Sequence, residues 1–391
     1  MGDNLQMAES SPGTLKEAEA RSVAGLLGVP DFVYRPEHVS KGKAVREISD
    51  GLLIAGTDGL ILQVKGRFTS GRDLPAKAEG WCRKNGLAAQ RQGQGTRASL
   101  RSNAVRVRSL RGYEREVPDA ETWPIVVIIS HPDDPVVSFP ASTDTLFLSL
   151  TDWRQLHSMI RSTYGVIDYV RRALASGVSV PLGREADRYR LLSEADVHAG
   201  RSLTSFPTLP IAELDGRDLG YVATFDRLIA KVADGTGATG WTEDGYLLPV
   251  EQLDRVPITG RVRIGRKWSQ TFFQMVETKS PRSFITLDPN GADRLAFMFE
   301  HDAEGSDDSA ARFNALVADY CVIRHQHAID AGADPASVTL TVGTLYHPTK
   351  GQRYTFVYWQ GPPPPIPTVI RTAFESEFGV FNGATVQSAT T

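Results

Sequence analysis

Three side chains close together in the chain could share one reaction: Asp50, Gln63 and Lys65. A carboxylate and an amide oxygen are hard donors of the kind Mg²⁺ or Mn²⁺ prefers. An amine two residues beyond the amide can face an anionic substrate, because a spacing of two puts both side chains on one side of an extended strand. The sequence offers such strands. Apolar runs at Leu52–Ala55 and Leu60–Leu62 flank Gly-Thr-Asp-Gly, a hairpin signal in which Asp58-Gly59 is expected to form the two-residue loop. In that register Ile54 opposes Gln63 and Leu52 opposes Lys65. Asp50, Leu52, Ile54, Gln63 and Lys65 then share one face, and Leu53, Ala55, Leu62 and Val64 form an apolar face read as core. Asp50 would lie four positions, roughly 13 Å, from the residue opposite Gln63. A shared metal therefore demands strong twist or a bulge near Gly51.

The Asp…Gln-x-Lys pattern resembles the PD-(D/E)XK nuclease superfamily, nearest its Mrr- and NERD-type variants, some of which carry Gln-x-Lys. The resemblance implies an α/β restriction-endonuclease-like fold, a mixed central sheet flanked by helices, and metal-dependent hydrolysis of phosphodiester bonds, with DNA as the expected substrate. It matches Asp50 to the metal aspartate, Gln63 to the variable acid position, Lys65 to the lysine that handles the attacking water, and Glu47 to the acid of the first helix. Asp50, Gln63 and the Val64 carbonyl would hold Mg²⁺ or Mn²⁺. Glutamine at position 63 departs from the commoner acid and leaves one fewer negative charge. The resemblance also implies that a glutamine on the next helix, here Gln92 within Ala89–Thr96, faces the site or the DNA. The alternative is an inert nuclease-like module that binds DNA or protein without cutting. A role in bacterial restriction or phage defence, with a homo-oligomer or a defence-system partner protein, follows by fold-level analogy.

Charge agrees with a polyanionic partner for this half. From Lys41 to Arg115 there are 16 basic and 6 acidic residues, while the whole chain carries −3. Phosphate contacts dominate nucleic-acid affinity, and Lys41, Lys43, Arg67 and Arg97 are the candidates to make them. A second motif, Ser130-His131-Pro132-Asp133-Asp134, resembles the His-Pro-Asp-Asp-Glu signature of zinc-dependent N-acetylglucosaminyl deacetylases. Pro135 stands where that family has Glu, and none of the eight histidines completes a His-x-x-His pair. The stretch is expected to be a turn after a strand.

At 391 residues the chain should hold two domains. The expected division is a nuclease domain at 1–198, a linker at 199–210 marked by glycine, serine and proline, an α+β domain at 211–382, and a loose tail at 383–391. The first dozen residues are also expected to be loose and hold no signal-peptide stretch. Two cysteines, Cys82 and Cys321, give neither a disulfide framework nor a zinc site, which points to a reducing cytoplasm. No segment approaches the roughly 20 apolar residues that span a bilayer, so no membrane partner is expected. In the first domain, Ala76–Arg101 reads as a helix that Gly93 and Gly95 end or bend. Trp123–Ile129 and Asp144–Thr151 read as strands. Trp153 to Val170 reads as one amphipathic helix, and Arg184–Ala199 as a last helix. In the second, Ser283–Leu287, Leu295–Glu300, Val338–Tyr346 and Tyr354–Trp359 read as strands and Ser309–Ile329 as a helix. His325 and His327, two apart on that helix, point to opposite flanks and should not form a metal pair.

Overall fold

The computed structural model describes residues 12–36, 39–41, 44–46, 49–68, 74–102, 104–117, 122–199, 209, 214–234, 245–279, 282–286, 294–330, 332–366, 369, 372, 374 and 376. The chain divides into two compact units, Met1–Ile211 and Ala212–Thr391. The expected loose ends, most of the expected linker, Lys43 and Glu47 lie outside the described residues.

The first unit begins with α1 (Pro12–Leu27), a short 3-10 turn at Pro30–Phe32 and β1 (Val33–Pro36). A ribbon of β2 (Val39–Lys41) and β3 (Ala44–Arg46) follows, then β4 (Gly51–Ala55), β5 (Asp58–Gly66), α2 (Pro75–Ser102), β6 (Arg106–Ser109) and β7 (Glu114–Glu116). The unit closes with β8 (Ile125–Ser130), β9 (Thr145–Ser149), α3 (Leu150–Ile160), α4 (Thr163–Ala175) and α5 (Glu185–His198). Seven strands form one mixed sheet in the order β7-β6-β1-β4-β5-β8-β9. β5, β8 and β9 run parallel, and the other pairs are antiparallel. The α2 crossover covers one face, where Leu52, Ile54, Ile61, Cys82, Ala89, Val127 and Ile129 form a continuous buried cluster. α1 packs on β5 and α4 on β4 and β5, so Leu53, Ala55, Leu62 and Val64 are buried toward the opposite layer. This is an α/β domain with a mixed sheet flanked by helices.

Two expectations fail here for local reasons. α2 runs straight through Gly93 because a Cβ there would stand 2.6 Å from the Ile125 side chain, so the glycine admits the sheet instead of ending the helix. The single helix expected from Trp153 to Val170 is two. Arg161 turns into the left-handed region at φ 51, and the Ser162 hydroxyl accepts from Gly165 N to cap α4. The 3.6-residue apolar period runs on across that break and hides it.

The second unit contains α6 (Gly216–Ala233), α7 (Leu247–Asp254) and α8 (Ile258–Thr278), then β10 (Arg282–Thr286), β11 (Leu295–His301), α9 (Asp307–Asp330), β12 (Thr339–His347) and β13 (Gly351–Trp359). Its four-stranded sheet has the order β10-β11-β12-β13, with β11 and β12 parallel and α9 crossing between them. The strands and α9 lie where their apolar patterns put them. The three helices before the sheet carry a weaker signal. In α8 a fully buried Arg261 takes a core position, satisfied by Asp226 at 2.9 Å, Asp254 at 3.0 Å and the Val256 carbonyl at 2.9 Å. Among the described residues no helix is long and apolar enough to cross a membrane.

Candidate active site

β4 and β5 pair with Gly51 opposite Leu62, Leu53 opposite Leu60 and Ala55 opposite Asp58. The loop is therefore Gly56-Thr57 and not Asp58-Gly59. Gly56 has φ 61, the left-handed first position that a type II′ hairpin turn requires. Gly59 lies inside the strand, where a Cβ would come within 2.3 Å of the Trp123 ring, and Arg171 binds the Asp58 carboxylate. The Asp-Gly pair thus serves packing and a salt bridge instead of the turn.

Relative to the expected pairing, the register slips by four residues. An even slip leaves side-chain parity intact, so Gln63 and Lys65 keep the α2 face, and Asp50 stands just beyond the Gly51–Leu62 pair with its carboxylate at the β5 edge. The slip also sets Asp50 beside Gln63, where directly opposed Cα atoms are about 4.5–5.5 Å apart. The expected 13 Å gap vanishes, and no bulge is needed to close it.

Asp50 sits one residue before β4, at the point where β5 loses its partner strand. Its Oδ2 accepts the Val64 N–H at 2.6 Å. Its backbone carbonyl accepts from the guanidinium of Arg21, which is buried on α1. In a strand the N–H and C=O of one residue point to the same side, so the Val64 carbonyl also faces the Asp50 edge. Gln63 is 2 % exposed, between that edge and Val127 of β8. Lys65 is half-buried and pairs with Ile129. Asp50, Gln63 and the Val64 carbonyl therefore lie at neighbouring positions where β4 begins beside β5, with one formal charge among them. Among the described residues no group of three or more His, Cys, Asp or Glu could hold a metal ion.

The other expected residues divide. Two short strands, β2 and β3, precede position 47, which lies outside the described residues. The first helix is α1. Its Lys16 Cγ lies 2.7 Å from where a Gly66 Cβ would be, and its Arg21 Cγ 3.3 Å from the same point at Gly51. Glu17, half-buried, lies one turn ahead of Arg21 on α1. Neighbouring Glu19 pairs with Lys16 at 2.7 Å and with Arg154. The sequence signal for α1 was Pro12 at the first helical position; its buried residues Ala20 and Ala24 are too small to give a strong apolar period.

Arg67 stays beside the site: its N–H donates to the Ser130 carbonyl at 2.9 Å, and its guanidinium lies 6.0 Å over the Trp81 ring. Lys41 has its backbone in β2, and its side chain is outside the described residues. Gln92 and Arg97 do not join the site. α2 runs back from the C-terminal end of β5 to the start of β8, and Gln92 is roughly 25 Å along it from Pro75 at 1.5 Å per residue. Gln92 is exposed there, and Arg97 binds Asp144 at 2.5 Å just before β9. Burial would raise the Asp144 carboxyl, but hydrogen bonds from Arg97, Thr145 and Ser142 outweigh it and hold the group at about 2.

The His131-Pro-Asp-Asp stretch is the turn expected, with Asp134 N donating to the His131 carbonyl at 3.2 Å. His325 is fully engaged within the second unit, its ring nitrogens each 2.8 Å from Thr339 Oγ1 and the Gly361 carbonyl. Fold and site together define a mixed-sheet α/β domain with an Asp/Gln/Lys constellation at the end of its central hairpin. No protein-family model, no curated protein and no solved structure matches the chain.

Proposed function

We propose that the chain is a metal-dependent nuclease with a restriction-endonuclease-like first domain, acting on DNA. The observation that carries this reading is the Asp50–Val64 hydrogen bond at 2.6 Å, which holds the carboxylate against the Gln-x-Lys strand at the β4–β5 edge. Asp50, Gln63 and the Val64 carbonyl would hold Mg²⁺ or Mn²⁺, with Glu47 as the first-helix acid that the resemblance implies. The bound ion supplies Lewis acidity toward the scissile phosphate. Lys65 orients the attacking water and offsets charge that develops on the phosphate. Arg21, through the Asp50 carbonyl, positions the carboxylate. Arg67 stands where it can take a flanking phosphate. A place in restriction or phage defence remains an analogy from the fold.

The second reading, a nuclease-like binding module, is favoured by two observations. One Asp50 oxygen is already engaged by a backbone N–H, and Gln63 is almost wholly buried.

The deciding experiment is nicking of supercoiled plasmid with Mg²⁺, with Mn²⁺ and with EDTA, by wild type, Asp50→Ala and Lys65→Ala, alongside DNA binding by each. Metal-dependent nicking lost in both variants, with DNA binding retained by Lys65→Ala, establishes the enzyme. Metal-independent DNA binding without nicking by wild type establishes the module.

A further inference from the structure

α2 carries six basic residues and a single acid, Glu79, in a chain whose net charge is −3. Two of the six are spent inside the unit. Arg83 binds Glu79 at 2.7 Å and the Ser138 carbonyl at 2.8 Å, and Arg97 binds Asp144. Arg101 lies in the last turn. Lys77, Lys84 and Arg91 are different: all three are exposed, and among the described residues none pairs with a carboxylate. They recur every seven residues, so at 3.6 residues per turn they fall within an arc of about 40° and stand about 10 Å apart. That arc lies opposite the buried positions Ala78, Cys82, Gly86, Ala89 and Gly93.

The same face is low between its cations. Gly86 and Gly93 answer to packing, since a Cβ would stand 2.7 Å from the Phe139 side chain at one and 2.6 Å from Ile125 at the other. Gly80 and Gly95 do not: a Cβ at either meets nothing within 4 Å, and both are exposed. Glycine inside a helix is costlier than alanine, so nothing within the unit accounts for these two. With Ala88 they alternate with the cations, as Lys77, Gly80, Lys84, Ala88, Arg91 and Gly95 along one ridge.

We propose that this outer face of α2 is where the sugar-phosphate backbone of DNA lies, with Lys77, Lys84 and Arg91 contacting phosphates and Gly80 and Gly95 admitting the strand against the helix. Charge selects a polyanion, because three unpaired cations share one arc without an acid among them. Spacing selects a repeating one. The cations run in a line of about 21 Å, whereas a lone phosphate would need them to converge on a point. Position ties the line to the candidate site. Arg67, two residues beyond Lys65, lays its guanidinium 6.0 Å over the ring of Trp81, which stands on α2 between Lys77 and Lys84. Positive groups therefore continue from Lys65 through Arg67 onto the ridge. This positional step rests on the nuclease reading; the charge and spacing steps do not.

The test is binding of the full chain, in EDTA, to fluorescent duplexes of about 30 base pairs and two unrelated sequences, read by anisotropy from about 50 to 200 mM NaCl. One variant combines Lys77→Gln, Lys84→Gln and Arg91→Gln. A control of equal charge loss combines Lys231→Gln, Arg263→Gln and Lys279→Gln, all exposed in the second unit. A third combines Gly80→Leu and Gly95→Leu. In the α2 triple variant the slope of log K against log salt should become shallower by about 3, alike on both sequences, and each single substitution should account for about 1. The control should keep the wild-type slope. The leucine variant should melt higher, because leucine is the better helix former, and still bind DNA more weakly; a merely structural face would show the first change without the second. An unchanged slope in the α2 triple variant, an equal change in the control, or undiminished binding by the leucine variant overturns the proposal. So does competition by polyglutamate as strong as that by unlabelled duplex, which would make the face a dock for acidic protein. Plasmid nicking alongside an unchanged slope leaves the nuclease standing without this surface. A slope that depends on the ridge in a chain that never nicks does the reverse.

Discussion

The two units use the same device and finish it differently. Each sends a long helix between parallel strands, α2 between β5 and β8 in the first and α9 between β11 and β12 in the second, and each collects polar residues where those strands end. Around Asp302 and His325 in the second unit the polar groups bond to one another. Asp302, just past β11, accepts from Glu304 N at 3.0 Å, Gly305 N at 2.8 Å and Ser309 Oγ at 3.0 Å, and His325 on α9 spends both ring nitrogens. In the first unit the Asp50 carboxylate accepts from Val64 N, Lys65 is half-buried, and His131 Nε2 is buried with no hydrogen-bond partner. Polar groups that close on themselves hold a fold together.

The largest effects should separate these roles. Asp50→Ala is expected to lower plasmid cleavage by at least about 100-fold, the usual scale for removing a group that stabilises charge in the transition state. Its thermal midpoint should shift little. Asp302→Ala should do the opposite, leaving cleavage near wild type and destabilising the second unit by about 1–3 kcal/mol as two buried donors and one part-buried donor lose their acceptor. Cleavage assays and denaturant melts on both variants check this. Comparable stability losses without a difference in cleavage would erase the distinction.

Next in size come the histidines. His325→Ala strands the Thr339 hydroxyl and the Gly361 carbonyl and should cost about 2–4 kcal/mol. His131→Phe gives up one modest bond from Asp133 N and retains the ring packing, so it should cost about 1 kcal/mol or less. Urea unfolding of the two variants measures the gap, and an equal loss would mean that His131 is as structural as His325.

How far the sequence carried this picture depends on which signal each element had. Side-chain parity was legible because it survives any even slip in register, so Gln63 and Lys65 keep one face while the pairing differs by four. Asp58-Gly59 looked like a turn because packing beneath Trp123 and turning a chain select the same residue, glycine. The second unit's strands were plain apolar runs. α1 carries a weak signal, since its buried positions include alanines, and Glu47 lies outside the described residues. Gln92 and Arg97 were adjacent to the site in sequence logic only; a 28-residue helix outruns a 9-residue strand.

One buried carboxyl from each unit should also differ in sign with pH. Asp168 on α4 has a buried Oδ2 with no hydrogen-bond partner, and burial raises its carboxyl to about 6 against the pull of Arg172 and Arg171. A carboxyl whose folded value lies above its unfolded value, about 3.9, adds stability below that value and loses it as pH rises through about 6. For Asp302, burial alone would raise the carboxyl, but bonds from Gly305, Ser309 and Glu304 outweigh it and lower it. Its contribution is present above about 3.9 and is lost as pH falls. Asp168→Asn should therefore flatten the decline in stability between about pH 4 and 6 and gain about 1 kcal/mol at neutrality, whereas Asp302→Asn should flatten only the acid limb. Melts across pH 3–8 would show one common slope if the two carboxyls did not differ.

The smallest effect is the sharpest test of where the site ends. Arg97 was a candidate phosphate contact, and the structure gives it to Asp144 at the opposite end of the sheet from Lys65. Both side chains are about one-fifth exposed, 22 % and 23 %, so solvent screens the pair and Arg97→Ala should cost under about 1 kcal/mol. The loss should disappear as pH falls toward 2, because the depressed Asp144 carboxyl contributes only above its unfolded value and stops as it protonates. Cleavage rate and its salt dependence should not move. A shallower salt slope in Arg97→Ala would mean that DNA runs the length of α2, and that the first unit's open edge extends past β8 to the far end of the sheet.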